Sequence, residues 1–376
     1  MAKSPASEFV AAVRQSQVLE PDQLDELAAL AAKVNDPREL ARQAMKHNWL
    51  TPYQVNQISL GKGSDLVLGQ YLLLERLGEG GMGQVFKARQ RRLDRIVALK
   101  IIRKEKLDNP KAVDRFKREI RAAGKLSHVN IVMAFDADQV GQTHFFAMEY
   151  VPGIDLSRLV KEHGPFPLEA AVEYTRQAAL GLQHAFERGL VHRDIKPANL
   201  LITPPPARTD RGIRWGGQLK ILDMGLARLN ENRSEDELAS RLTQEGTVMG
   251  TPDFIAPEQA MNSNTADIRA DLYSLGCTFY FILTGKVPFP GGTMMEKIIR
   301  HRSEPFVPIE LLRADLPKSI VAVINRLLTK KPEDRYQTPA ELADALQAAM
   351  RGGPTQAPGA EPTLVSATGL LEATSI

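Results

Sequence analysis

Val191-His192-Arg193-Asp194-Ile195-Lys196-Pro197-Ala198-Asn199 puts a carboxylate, an ammonium two residues on and a carboxamide three further into one short stretch. The three groups can serve as a proton acceptor, a cation facing phosphate and an oxygen ligand for a hard metal. That is the equipment of phosphoryl transfer. Asp223-Met224-Gly225 and Ala256-Pro257-Glu258 follow in order, adding a second acid suited to a hard cation.

Upstream, a strand-like run from Tyr71 to Leu77 ends in Gly78-Glu79-Gly80-Gly81-Met82-Gly83. Tight turns and dinucleotide sites also produce such glycines. Here a second β-rich run, Gln84 to Ala88, follows in place of a helix. This predicts a hairpin loop whose amides, free of side chains, can approach phosphates. Val97-Ala98-Leu99-Lys100 then carries apolar residues up to one lysine. After Asn109-Pro110, Val113, Phe116, Ile120 and Ala123 recur at helical spacing, with Glu119 inside the run and Glu105 outside it. Thr143 to Met148 reads as a strand that continues into Glu149-Tyr150-Val151-Pro152-Gly153. From Leu168 a long amphipathic helix delivers the chain to His192.

In this order and spacing, the motifs make residues 71 to 350 resemble the eukaryotic-like (Hanks-type) bacterial serine/threonine protein kinases. The resemblance implies an α+β, two-lobed fold, with a small β-rich lobe (66–151) and a large helical lobe (152–351). It implies that Asp194 accepts or orients the proton of the attacking hydroxyl and that Lys196 neutralises the transferring group. Lys100 would reach the α- and β-phosphates, paired with Glu119. Asn199 and Asp223 would hold magnesium. ATP would lie among Leu77, Gly78, Gly80, Gly81, Gly83, Val85 and Ala98, with Met148 as gatekeeper. Glu149 and Val151 would contact adenine through their backbones, and Asp155 would meet the ribose.

Further roles are implied in the same way. Lys196 and Thr251, in Gly250-Thr251-Pro252, match the branch that phosphorylates Ser or Thr of proteins, with Thr251 bonded near Asp194 and Lys196. Asp271 would anchor the catalytic loop, and Glu258 and Arg335 would form an ion pair. Arg193 suggests regulation by a phosphate on the segment 226–256, with Thr243 and Thr247 as leading acceptors. His192 is expected to be structural. Met224 stands where the family carries Phe and is apolar enough to fill the same pocket. The competing reading is a pseudokinase, a nucleotide-switched scaffold, to which Met224 alone lends support.

Ahead of these motifs, Asp36-Pro37-Arg38-Glu39 and Thr51-Pro52-Tyr53-Gln54 are capped helix starts. A faint repeat at an offset of 31 residues relates Leu19, Pro21, Gln23 and Leu24 to Leu50, Pro52, Gln54 and Val55. Residues 7 to 60 are therefore expected to form two packed helical hairpins, in a small all-α module over residues 1–65. Such a module could recruit a partner, mediate self-association, brace the small lobe or simply extend it. Gly61 to Asp65 reads as a flexible joint, the stretch between Ile202 and Leu219 as an exposed loop, and residues 352–376 as a disordered tail. Among 376 residues the net charge is +3 and Cys277 is the one cysteine. This balance offers nothing to nucleic acid, and with no apolar run of spanning length it leads us to expect a cytoplasmic protein.

Overall fold

The structure is a computed structural model that describes residues 4–80, 83–107, 110–209, 212–224, 252–261 and 266–351. Four short helices lead: α1 (Pro5–Ser16), α2 (Pro21–Ala31), α3 (Pro37–Lys46) and α4 (Pro52–Ser59). Each opens on proline, and the side chains of Ser4, Asp36 and Thr51 cap the first, third and fourth. The expected starts at Asp36 and Thr51 are therefore found. Of the two expected hairpins, α1 packs on α2, whereas α3 and α4 pack on α1 more than on each other. Ala6, Phe9, Val10 and Val13 bury a stripe on α1 that serves several neighbours at once.

Helices this short are not stable in isolation. Their partner is a six-stranded antiparallel sheet in the order β1-β2-β3-β4-β6-β5. Its strands are β1 (Val67–Leu68), β2 (Tyr71–Gly80), β3 (Gly83–Gln90), β4 (Arg95–Ile102), β5 (Ala134–Val140) and β6 (Thr143–Glu149). Side chains alternate across a strand, and both faces here are buried. Val97, Leu99, Phe145, Ala147, Tyr71 and Phe86 share one core with Phe9, Leu27, Leu40 and Ile58 of the helices. Ala98, Ile102, Phe146 and Met148 face the other way, against Phe116 and Ile120 of α5 (Pro110–Ala123). This is why β4 reads as a continuous apolar run broken only by Lys100.

The stretch expected to be a flexible joint is packed. Gly63–Leu66 forms a 3₁₀ turn with Gly63 and Leu66 buried. A Cβ on Gly63 would lie 2.8 Å from that of Ser16, so glycine allows close approach to α1 here.

The large lobe begins with β7 (Ile154–Asp155), α6 (Leu156–His163) and α7 (Leu168–Phe186). β8 (Leu200–Thr203) and β11 (Gln218–Ile221) flank a small hairpin made of β9 (Ala207–Thr209) and β10 (Gly212–Arg214). The loop expected between Ile202 and Leu219 is therefore structured. Trp215 packs 4.5 Å from Phe166, and the Tyr174 hydroxyl bonds Gly216 through both its O and its N. The remaining α-helices among the described residues are α8 (Pro257–Met261), α9 (Ile268–Thr284), α10 (Met294–Ser303), α11 (Lys318–Leu327) and α12 (Pro339–Met350). Apolar all round, α9 is buried along nearly its whole length and forms the axis of the lobe. Among the described residues, no helix is long and apolar enough to cross a membrane.

Candidate active site

Asp271, near the start of α9, is fully buried and accepts the backbone N–H groups of His192 and Arg193, each at 2.7 Å. Burial raises its carboxyl pKa, and the two amides with the neighbouring His192 and Arg193 oppose the shift. The bonds hold Arg193 at a φ of 66°, which orients the next residue, Asp194. His192 is fixed as well. Its Nδ1 accepts from Asp194 N at 3.1 Å, so Nε2 is the donor to Leu222 O at 2.7 Å. With both nitrogens committed and no exposure, His192 ties the catalytic loop to the residue before Asp223 and has no nitrogen left for substrate.

Asp194 is half exposed, and Lys196 Nζ lies 2.9 and 2.8 Å from its two carboxylate oxygens. Asn199 Nδ2 donates to Asp194 O at 2.7 Å and to Oδ2 at 3.0 Å. Both amide hydrogens are thus spent on Asp194, leaving Asn199 Oδ1 as the atom suited to a cation. Asn199 O accepts from Leu222 N at 2.9 Å, which brings Asp223 alongside.

Asp223 has a φ of 55° and accepts from Lys100 Nζ at 2.7 Å. Burial pushes its carboxyl up, but the Lys100 ammonium more than reverses this, with smaller pulls from His192 and Lys196. Its pKa ends below the usual aspartate value. An ionised carboxylate beside a free amide oxygen suits magnesium, which keeps water and phosphate oxygens as its other ligands. Among the described residues, no group of three His, Cys, Asp or Glu side chains gathers to hold a metal unaided.

Above these residues, Ala98, Met148 and Val151 are buried in one apolar cluster with Val85, Leu201 and Leu222 packed against it. Leu201 and Leu222 were not among the sequence candidates. Their signal was available, since Leu201 lies two residues after Asn199 and Leu222 immediately before Asp223. At the hinge, Glu149 N donates to Met133 O and Val151 O accepts from Gly153 N, each at 2.9 Å. The Glu149 carboxylate pairs with Lys220 at 2.8 Å, joining hinge to β11. Asp155 caps α6 through Oδ1, accepting Arg158 N at 2.9 Å.

The glycine-rich turn is a β-hairpin, as its flanks predict, with Gly80 opposite Gly83 and Gly78 opposite Val85. Gly83 has a φ of 156°, and a Cβ there would lie 1.8 Å from Ile101 O, so no larger residue fits. Leu77 lies at a register shift in this hairpin and is 43% exposed. Glu79 bonds Arg76 and Arg103, its exposed neighbours. Gly81, Thr243, Thr247, Thr251 and the Glu119 side chain fall outside the described residues.

Below the site, Arg335 is fully buried. Its guanidinium meets the Glu258 carboxylate with two parallel bonds of 2.7 and 2.9 Å. Its other three N–H groups donate to Thr329 O, Arg269 O and Lys330 O. All five donors of the side chain are thereby used.

The protein kinase domain profile matches residues 71–347. The chain belongs to the protein kinase family. This kinase is 36% identical over 282 residues to a probable serine/threonine-protein kinase of Clostridium perfringens, covering 75% of this chain and 38% of that one. To serine/threonine-protein kinase PknB of Mycobacterium tuberculosis it is 35% identical over 293 residues, covering 77% and 44%. The kinase thus spans less than half the length of these curated relatives. Among solved structures, the PknI kinase domain of Mycobacterium tuberculosis matches with a TM-score of 0.56 at 24% identity, over 75% of this chain and 96% of that one. That likeness is one of fold.

Proposed function

We propose that this kinase transfers the γ-phosphoryl group of ATP, with magnesium, to Ser or Thr hydroxyls of proteins. The observation that carries the reading is the Asp194 carboxylate, half exposed yet oriented by Lys196 and Asn199 at 2.8 to 3.0 Å. Asp194 orients the acceptor hydroxyl and takes its proton as the new O–P bond forms and the bond to the β-phosphate oxygen breaks. Little proton transfer is needed early in a loose transition state, so geometry matters more than basicity. Lys196 bridges Asp194 and the transferring group. Lys100 meets the nucleotide phosphates, and Asn199 Oδ1 with the Asp223 carboxylate would hold the cation. When bound, magnesium would supply positive charge that offsets the negative charge of the phosphates. The cluster around Ala98, Met148 and Leu201 receives the adenine, and Asp155 Oδ2 receives a ribose hydroxyl.

The pseudokinase reading is not favoured: Lys100, Asp194, Asn199 and Asp223 are all present, and Met224 is buried in the large-lobe core. Regulation through Thr243 or Thr247 is part of the proposal, with Arg193 as the phosphate's partner. A reducing cytoplasm suits the buried thiol of Cys277. Since the apolar faces of the N-terminal helices are taken up by the sheet, bracing of the small lobe is the role they support.

Incubation with magnesium and labelled ATP, wild type beside Asp194→Asn, followed by mapping of the labelled residues, tests the reading. Label that requires Asp194 and lands on Thr243 or Thr247 is expected. ATP binding with no label in either protein would return the weight to a scaffold.

A further inference from the structure

β2 leads directly into the glycine-rich loop, yet its outer edge is only briefly covered by a strand. β1 pairs with it at Tyr71 and Leu72 and then stops. Just beyond, the pairing of β2 with β3 slips. Leu73 faces Ala88, Glu75 faces Lys87, and Leu74 between them has no opposite residue. Such a bulge bends and twists the strand that carries it, and here it lies four residues before Gly78.

The capping box of α4 occupies this point. Thr51 Oγ1 donates to Leu74 O at 2.5 Å, and Gln54 Nε2 donates to Leu73 O at 2.9 Å. The same two side chains cap their own helix. Gln54 N donates to Thr51 Oγ1, and Thr51 N donates to Gln54 Oε1. Gln54 is 1% exposed, where an unpartnered amide would be costly. The neighbouring Tyr53 ring lies 6.0 Å from Phe86, on the strand that leaves the glycine-rich turn. One short helix therefore holds both arms of the hairpin that covers the nucleotide.

We infer that Thr51 and Gln54 are positioning residues for nucleotide binding: they hold the Leu73–Leu74 bulge, and so set the course of the strand that carries Gly78 and Gly80 into the glycine-rich turn. The inference deepens the kinase reading and rests on it for the identity of the ligand. Gln54→Glu keeps the acceptor that caps α4 but removes the donor to Leu73 O. Thr51→Val keeps the shape and removes the hydroxyl, whereas Thr51→Ser restores it. Leu27→Ala opens a cavity in the same helical core, away from the strand edge, and controls for lost stability.

The measurements are the dissociation constant of magnesium adenylyl imidodiphosphate by calorimetry, amide exchange across residues 76–86, and the KM values for ATP and for a peptide. Gln54→Glu and Thr51→Val should weaken nucleotide about three- to tenfold, speed exchange in the hairpin and raise KM for ATP alone. Thr51→Ser and Leu27→Ala should stay within about twofold of wild type. Wild-type nucleotide affinity in both Gln54→Glu and Thr51→Val would overturn the inference, as would equal weakening in Leu27→Ala. A wild-type protein that binds nucleotide without transferring phosphoryl would instead refute the kinase reading, leaving the calorimetric comparison intact.

Discussion

The catalytic loop and the glycine-rich loop are supported by different physics. Beneath the first, Asp271 and Arg335 are charged side chains with no exposure, held by short bonds to His192, Arg193 and Glu258. Behind the second lies an apolar seam, in which Leu27, Leu40 and Ile58 of the helices share one core with Tyr71, Phe86 and Leu99, with one capping box at its edge. A buried charge that loses its partner cannot recover its hydration, so the lower support should fail abruptly. Hydrocarbon contacts weaken with each group removed, so the upper one should fail by degrees.

The largest effect should therefore come from Arg335→Ala, at about 3–5 kcal/mol of unfolding free energy. Denaturant titration would measure it, and an unchanged midpoint would erase the contrast. Adding Glu258→Ala should restore part of the loss, because the stranded carboxylate is then gone. In the seam, Leu27→Ala should cost about 2–5 kcal/mol, with transfer per folded molecule kept near wild type.

Acid sharpens the comparison further, because the lower region contains a buried histidine. His301 on α10 has no exposure and lies against Tyr273, Phe289, Lys330 and Lys297. Burial, helped by the two lysines and opposed by a contact with the Asp253 backbone, lowers its pKa from 6.5 to about 3. The folded value is depressed, so the unfolded chain takes up the proton first as pH falls below its own pKa. Stability present above that value is lost progressively on acidification, by about 2 kcal/mol between pH 6.5 and 5. Melting temperatures across this range should fall less steeply in His301→Gln. Smallest of all, Ile58→Val should cost about 1 kcal/mol, and a much larger drop would mean that the seam too fails abruptly.

Lys100, Asp194, Asn199 and Asp223 could be singled out as candidates from the chain alone because each belongs to a short local pattern. Local spacing also located the hairpin and the starts of α3 and α4. Contacts between patterns could not be found this way. Thr51-Pro52-Tyr53-Gln54 announces a helix start, but nothing in it reveals that the same hydroxyl and amide also bond a strand about twenty residues on. The apolar run of β4 shows that both its faces are covered without saying that α1–α4 cover one of them. Gly63 looks like a hinge until Ser16 is placed against it. Trp215 and Gly216 read as loop because their partners, Phe166 and Tyr174, are remote in sequence.

The most direct test of the account is the single-turnover rate of γ-phosphoryl transfer from magnesium ATP to a Ser/Thr protein substrate, for wild type and Asp194→Asn at equal nucleotide occupancy. A loss of about 10²- to 10⁴-fold with an unchanged melting temperature is predicted. Equal rates in the two proteins would contradict the assignment of Asp194, and with it the chemistry read from the catalytic loop.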